Sequence, residues 1–132
     1  MDRQDVVSYW LDTAEMDYET MKHLYASHDF HWSLFIGHLV IEKLLRAVLV
    51  LNRGEEVAVP RAHDLLLLAE KARVTTDARQ KDLLDLITTF NTRALYPDYK
   101  RSFYSKCTPT YTAARLREIE ELRTWLLSKL RN

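Results

Sequence analysis

The chain has little with which to turn sharply. Two glycines and three prolines in 132 residues are too few for the many tight reversals of an all-β domain. Its one cysteine, Cys107, excludes an internal disulfide, and the opening MDRQDVVSYW carries acids where a secretory leader has a basic and then an apolar stretch. A reducing, cytoplasmic setting is therefore expected. Neither sign of charge is in excess, with 19 basic and 19 acidic residues, so no global field draws the chain to nucleic acid or to an anionic membrane. Any such contact has to come from a local patch.

Long apolar runs are missing as well. The most apolar segment, residues 30–51, is interrupted by His31, His38, Glu42, Lys43 and Arg46, which would be costly in lipid. It reads as a core helix, and no membrane contact is expected. Gly-x-Ser-x-Gly, a Gly-rich phosphate loop and His-Glu-x-x-His are all absent. His28 with His31, and His38 with Glu42, have spacings that bring ligands onto one helix face, but no Glu is followed three residues later by His, as a di-iron bundle requires. No metal or cofactor is expected.

What is present is helical periodicity. With 47% apolar and 29% charged residues, residues 1–132 form one globular domain with its own core. Val6, Trp10, Ala14 and Met21 mark a helix over about residues 4–27. After SHD, with Asp29 as a cap, a second helix runs over about 30–53 and stops at Gly54. RAHDLLLLAEKA predicts a short helix with four leucines buried nearly all round. Leu83, Leu86 or Ile87, Phe90 and Ala94 continue a further long helix, which Pro97 ends. Residues 96–109 show no period and read as a loop of about fourteen residues, long enough to suspect function. Residues 110–130 form the last helix. The expected fold is all-α: an antiparallel up-and-down four-helix bundle with a short additional helix.

Two groupings could carry function. On the second helix, His31, His38, Glu42 and Arg46 fall within about 80 degrees of one another. This polar seam is either a solvated stripe with a Glu42–Arg46 pair or the lining of a groove or subunit interface. Around the unperiodic stretch, Arg93, Lys100, Arg101 and Lys106 face one acid, Asp98, with Tyr96, Tyr99, Phe103 and Tyr104 between them. Cations interleaved with rings suit phosphate neutralisation and base stacking, while the plainer alternative is a loop pinned to the bundle by its aromatics. Cys107 would act as a nucleophile only with a histidine beside it.

Several stretches together resemble one family. HLVIEKLLRAVL is similar to the Glu-Lys helix of HEPN domains, RAHDLLLLAEKA to their His-Asp-Leu helix, and NTRALYPDYK to the Ala-Arg-Tyr-Pro-Asp segment of one branch. Trp10, Ala14 and Asp17 resemble the family's first helix and TYTAARLREIEELRTWLLSKL its last. The resemblance implies a bundle that dimerises, binds nucleotide or RNA, and is often partnered by a small nucleotidyltransferase in a toxin–antitoxin pair. Ribonuclease members carry an arginine followed by a histidine after four to six residues. Counted from Arg93, those positions hold Asp98, Tyr99 and Lys100 here, and Leu95 stands where the segment usually has its arginine. The implied role is thus binding without catalysis: Arg93, Lys100 and Arg101 on phosphate, Tyr96 and Tyr99 stacking, and Glu42, Lys43 and Arg46 setting the polarity of a groove. His63 and Asp64 have a structural role at the start of the short helix. The rivals are an enzyme, with His38 or His63 as a substitute base or a tyrosine that accepts a modification, and a purely structural antitoxin-like partner.

Overall fold

A computed structural model describes residues 2–131. The first helix, α1 (Arg3–Ala26), opens on a reciprocal cap in which Asp2 accepts from the Asp5 backbone and Asp5 accepts from that of Asp2. It buries Val7, Ala14 and Met21, one residue every two turns. His28 then takes a left-handed conformation, φ 66°. This allows Asp29 N–H to reach the Leu24 carbonyl and His28 N–H that of Tyr25, a helix stop of the kind glycine usually makes. Asp29 stands at the N-cap of α2 (Phe30–Arg53) but does not cap it. Its carboxylate instead accepts the Ser27 hydroxyl at 2.8 Å.

Helix α2 is the axle of the molecule, packed against α1, α6, α4, α3 and α5. Thirteen of its residues are buried, so its polar groups have to be met from within. Ser33 Oγ donates to the Met21 carbonyl at 2.8 Å. Fully buried His38 donates from Nε2 to the His63 carbonyl at 2.9 Å, and because a carbonyl only accepts, Nε2 carries the proton. Gly54 closes α2 at φ 85°, as its position predicts.

The short α3 (Leu65–Lys71) is capped by Asp64, which accepts from Leu67 N–H. Two of its four leucines, Leu65 and Leu68, are buried, while Leu66 and Leu67 are half-buried. Helix α4 (Ala78–Leu95) begins with a reciprocal Asp77–Gln80 cap and buries Leu83, Leu84, Ile87, Phe90 and Ala94. The region expected as a loop is mostly helix: α5 spans Pro97–Lys106. A single extended residue, Tyr96 (φ −90°, ψ 131°), both ends α4 and begins α5. Proline explains both halves, since it disfavours helix in the residue before it and suits the first helical position. Helix α6 (Pro109–Leu130) repeats the device, with Thr108 capping through Tyr111 N–H. The bundle of four long helices thus carries two short helices rather than one. Among the described residues, no helix is long and apolar enough to cross a membrane.

Where α1, α2 and α6 meet, Gly37 lets the helices close up. A Cβ there would lie 2.5 Å from Ile119 Cδ1 and 3.2 Å from Met21 Sδ, both on buried side chains. Gly37→Ala gains about 1 kcal/mol of helix propensity but overpacks a tight site at about 1–3 kcal/mol. Net destabilisation is expected in urea unfolding, with recovery when Ile119→Val removes the opposing methyl. A Gly37→Ala protein as stable as the parent would show that the helices are not so close.

Burial holds the His38 imidazole below the ordinary histidine value of 6.5, outweighing its hydrogen bond to His63 and the Glu42 carboxylate. The unfolded chain therefore takes up a proton near pH 6.5 that the folded chain refuses until lower pH. Stability is full above 6.5 and falls as the pH drops from there toward the folded value, with a limiting slope of about 1.4 kcal/mol per pH unit for one proton. His31 is shifted the same way, chiefly by burial, so substitution isolates the contribution of His38. His38→Gln, which keeps a donor but does not titrate, is expected to lose less stability than the parent between pH 7.5 and 5.5 in urea unfolding. Parallel pH profiles would refute the assignment.

Candidate functional site

The His38–His63 bond fixes the chain entering α3 against the middle of α2. The turn leading to it contains Arg61 in a left-handed conformation, φ 56°, whose carbonyl accepts from Asp64 N–H. Across from this turn, Thr88 Oγ1 on α4 accepts the Leu65 N–H at 3.0 Å and donates to Leu84 O. Between them lies a hollow of about 360 Å³ lined by Arg61, His63, Asp64, Thr88, Thr89, Thr92, Arg93 and Tyr99. Arg93 and Tyr99 also line a neighbouring hollow of about 250 Å³ with Ser102, Phe103 and Lys106. The two hollows have Arg93 and Tyr99 in common and lie next to one another along α4 and α5, and the pair is called the groove.

Charge in this groove is weakly countered. Among the described residues neither Arg61 nor Arg93 makes an ion pair, and the one carboxylate of the lining, Asp64, caps α3 and stands as a single negative charge against two guanidiniums. Tyr99 is half exposed beside them and the threonines add hydroxyls. The Thr88 and Thr89 hydroxyl protons already go to the Leu84 and Leu86 carbonyls, so two guanidiniums, an imidazole, an exposed ring and the Thr92 hydroxyl make the surface, which suits a phosphorylated, ring-bearing ligand.

The seam on α2 is differently disposed. Lys43 pairs with Asp17 on α1 at 2.6 Å. Glu42 meets Arg46 at 3.4 Å, and Arg46 lies over the Trp10 ring at 5.2 Å, whose indole N–H donates to Glu56. His38 is enclosed and His31 nearly so, so the row is neither a stripe open to solvent throughout nor a set of uncommitted charges. His38 Nε2 carries its proton to His63, and Nδ1 is buried with no partner, so this ring does not reach a groove-bound ligand as a base.

Helix α5 separates the remaining predicted residues. At 100 degrees per residue, Tyr99, Ser102 and Lys106 fall on one side of buried Phe103, and Lys100 and Tyr104 on the other. Phe103 anchors the helix by stacking on Phe90, with centroids 5.6 Å apart. Lys100 and Arg101 line another hollow with His31 and Tyr104, away from the Arg93 groove's lining. Tyr96 is exposed at the α4–α5 joint, and Asp98 sits in the first turn of α5, where a carboxylate favours the helix dipole. Cys107 does have His28 and His31 around its hollow, but burial pushes its thiol up to about 11, leaving it protonated and unreactive near neutrality.

Arg61, Thr88, Thr89 and Thr92 were not foreseen as groove residues. Three threonines within five residues on one helix are a weak signal, while the approach of Arg61 depends on the His38–His63 bond, which links positions 25 apart. Among the described residues, no three His, Cys, Asp or Glu side chains gather as metal ligands would.

The model of the HEPN domain matches residues 7–130. No curated protein and no solved structure matches the chain significantly. The family match covers every helix but the first turn of α1, and it agrees with the all-helical bundle and with a general nucleotide- or RNA-related or toxin–antitoxin role. The chain belongs to the HEPN domain family.

Proposed function

We propose that this HEPN protein binds RNA or a nucleotide through the groove formed by the turn before α3, α4 and the inner flank of α5, and that it does so in the cytoplasm as a homodimer. The observation that carries the reading is the convergence of Arg61 and Arg93, without ion pairs among the described residues, on a hollow that also presents the exposed Tyr99 ring. Guanidiniums recognise phosphate in a two-pronged fashion, and an exposed ring offers a face to a base. The dimer is supported by α2, where half-buried Phe35 and Ile36 leave apolar area beside the internally paired Glu42 and Arg46. A nucleotidyltransferase partner in a toxin–antitoxin pair fits the same family role.

One observation favours a second reading. His63 is exposed and lines the groove with Arg93, so an imidazole stands near a guanidinium although the two are 30 positions apart in sequence. That pair suits proton transfer from a ribose hydroxyl beside a stabilised phosphate.

Purified protein incubated with labelled single-stranded RNA decides between them. Binding is expected, with affinity falling as salt rises and about tenfold or more lost in Arg93→Ala or Arg61→Ala. RNA is expected to stay intact with or without EDTA. Cleavage abolished by His63→Ala would establish the second reading, and salt-independent association indifferent to both arginines would remove the groove from the function altogether.

A further inference from the structure

The outer flank of α5 carries its own collection of rings and cations. Lys100, Arg101, Tyr104 and His31 line a hollow of about 560 Å³, and the floor beyond it is aromatic. His31 meets Trp32 at 4.9 Å and Tyr104 edge-on at 5.2 Å, and Trp32 meets Phe35 at 5.9 Å. The Lys100 ammonium lies over the Trp32 ring at 5.1 Å, held by a contact that leaves its charge uncancelled. Tyr104 is 66% exposed while His31 braces it from beneath. Asp29, the acid whose charge acts on His31, is engaged by the Ser27 hydroxyl, and Asp98, one turn before Arg101 on α5, makes no ion pair with it among the described residues. Burial and the Lys100 charge both hold His31 below its ordinary value, which keeps the ring neutral at the base of the hollow. The packing of these side chains accounts for the floor but not for two cations and an exposed tyrosine gathered above it.

We infer that this hollow is a second nucleotide station, in which Tyr104 stacks an unpaired base and Lys100 and Arg101 hold the adjoining phosphates, so that one RNA strand crosses α5 from the Arg93 groove. The inference rests on the groove reading and names its substrate class: a single strand of several nucleotides rather than a mononucleotide. The two stations flank one helix, whose width of about 10–12 Å with side chains exceeds one stacked nucleotide at roughly 3.4 Å. Lys106 on the inner flank and Arg101 toward the outer one continue the positive track between them.

Binding of ADP and of a 12-nucleotide oligoadenylate RNA separates the possibilities, with Tyr104→Ala, Tyr104→Phe, the Lys100→Ala/Arg101→Ala double variant and Arg93→Ala compared after their circular dichroism is matched. Tyr104→Ala is expected to weaken the 12-mer about tenfold, with Tyr104→Phe retaining parental affinity because the ring face remains. The double variant is expected to lower the steepness of log affinity against log salt by about 1.4, two phosphate contacts at roughly 0.7 each. ADP, small enough for the groove alone, is expected to bind these variants as it binds the parent and to be lost in Arg93→Ala. Unchanged 12-mer affinity in Tyr104→Ala and in the double variant would overturn the second station while leaving the groove intact. Loss of ADP in the outer-flank variants would overturn it too, by making the two hollows one site. An Arg93→Ala protein that binds both ligands normally would instead overturn the groove reading.

Discussion

The groove depends on the need of one buried imidazole for a partner. His38 is so completely covered on α2 that it has no water to turn to, and an unmet donor there would cost about 1–3 kcal/mol. The partner it finds is the His63 carbonyl, which belongs to the turn that carries Arg61, His63 and Asp64. Satisfying the core therefore places the groove residues. Thr88 completes the arrangement from the other side by accepting the first N–H of α3, so the turn is held from both α2 and α4.

Most of the fold could be read from the chain because its signals are local. The bounds of α2 followed from an apolar run between Asp29 and Gly54, and the end of α4 from the bias Pro97 imposes on its predecessor. Helix α5 shows no period in the sequence because Phe103 is the one buried residue among those of the helix whose burial is described, and because the same proline that stops one helix starts the next. Asp29 had the right residue type and position for a cap, but Ser27 supplied a competing hydroxyl two residues away.

The candidate site was legible only in fragments, for a related reason. Arg93 and Tyr99 stood out as charge and aromatic beside a helix break. Their companions Arg61, His63 and Asp64 lie about 30 positions away in sequence and arrive through tertiary contacts. The seam is the converse case. Helical spacing correctly put Glu42 and Arg46 together, yet their commitments to Trp10 and to each other, and that of Lys43 to Asp17, could not be seen from α2 alone.

A chain with no net charge can still attract a polyanion if its cations are unequally committed. Six of its 19 lysines and arginines are answered at home among the described residues, Arg79 by Glu121, Arg123 by Glu15, Lys43 by Asp17 and Arg46 by Glu42 among them. Such pairs contribute little field at a distance, because each is a short dipole screened within a Debye length of about 8 Å at physiological salt. Along α5 and its neighbours, Arg61, Arg93, Lys100, Arg101 and Lys106 make no ion pair among the described residues, with the helix's one acid confined to its first turn. A helix is better suited than a loop to presenting them, since its fixed spacing sends alternate cation and ring pairs to opposite flanks without further ordering entropy when a ligand arrives. The short helix that carries little of the core is free, for that reason, to carry most of the surface chemistry.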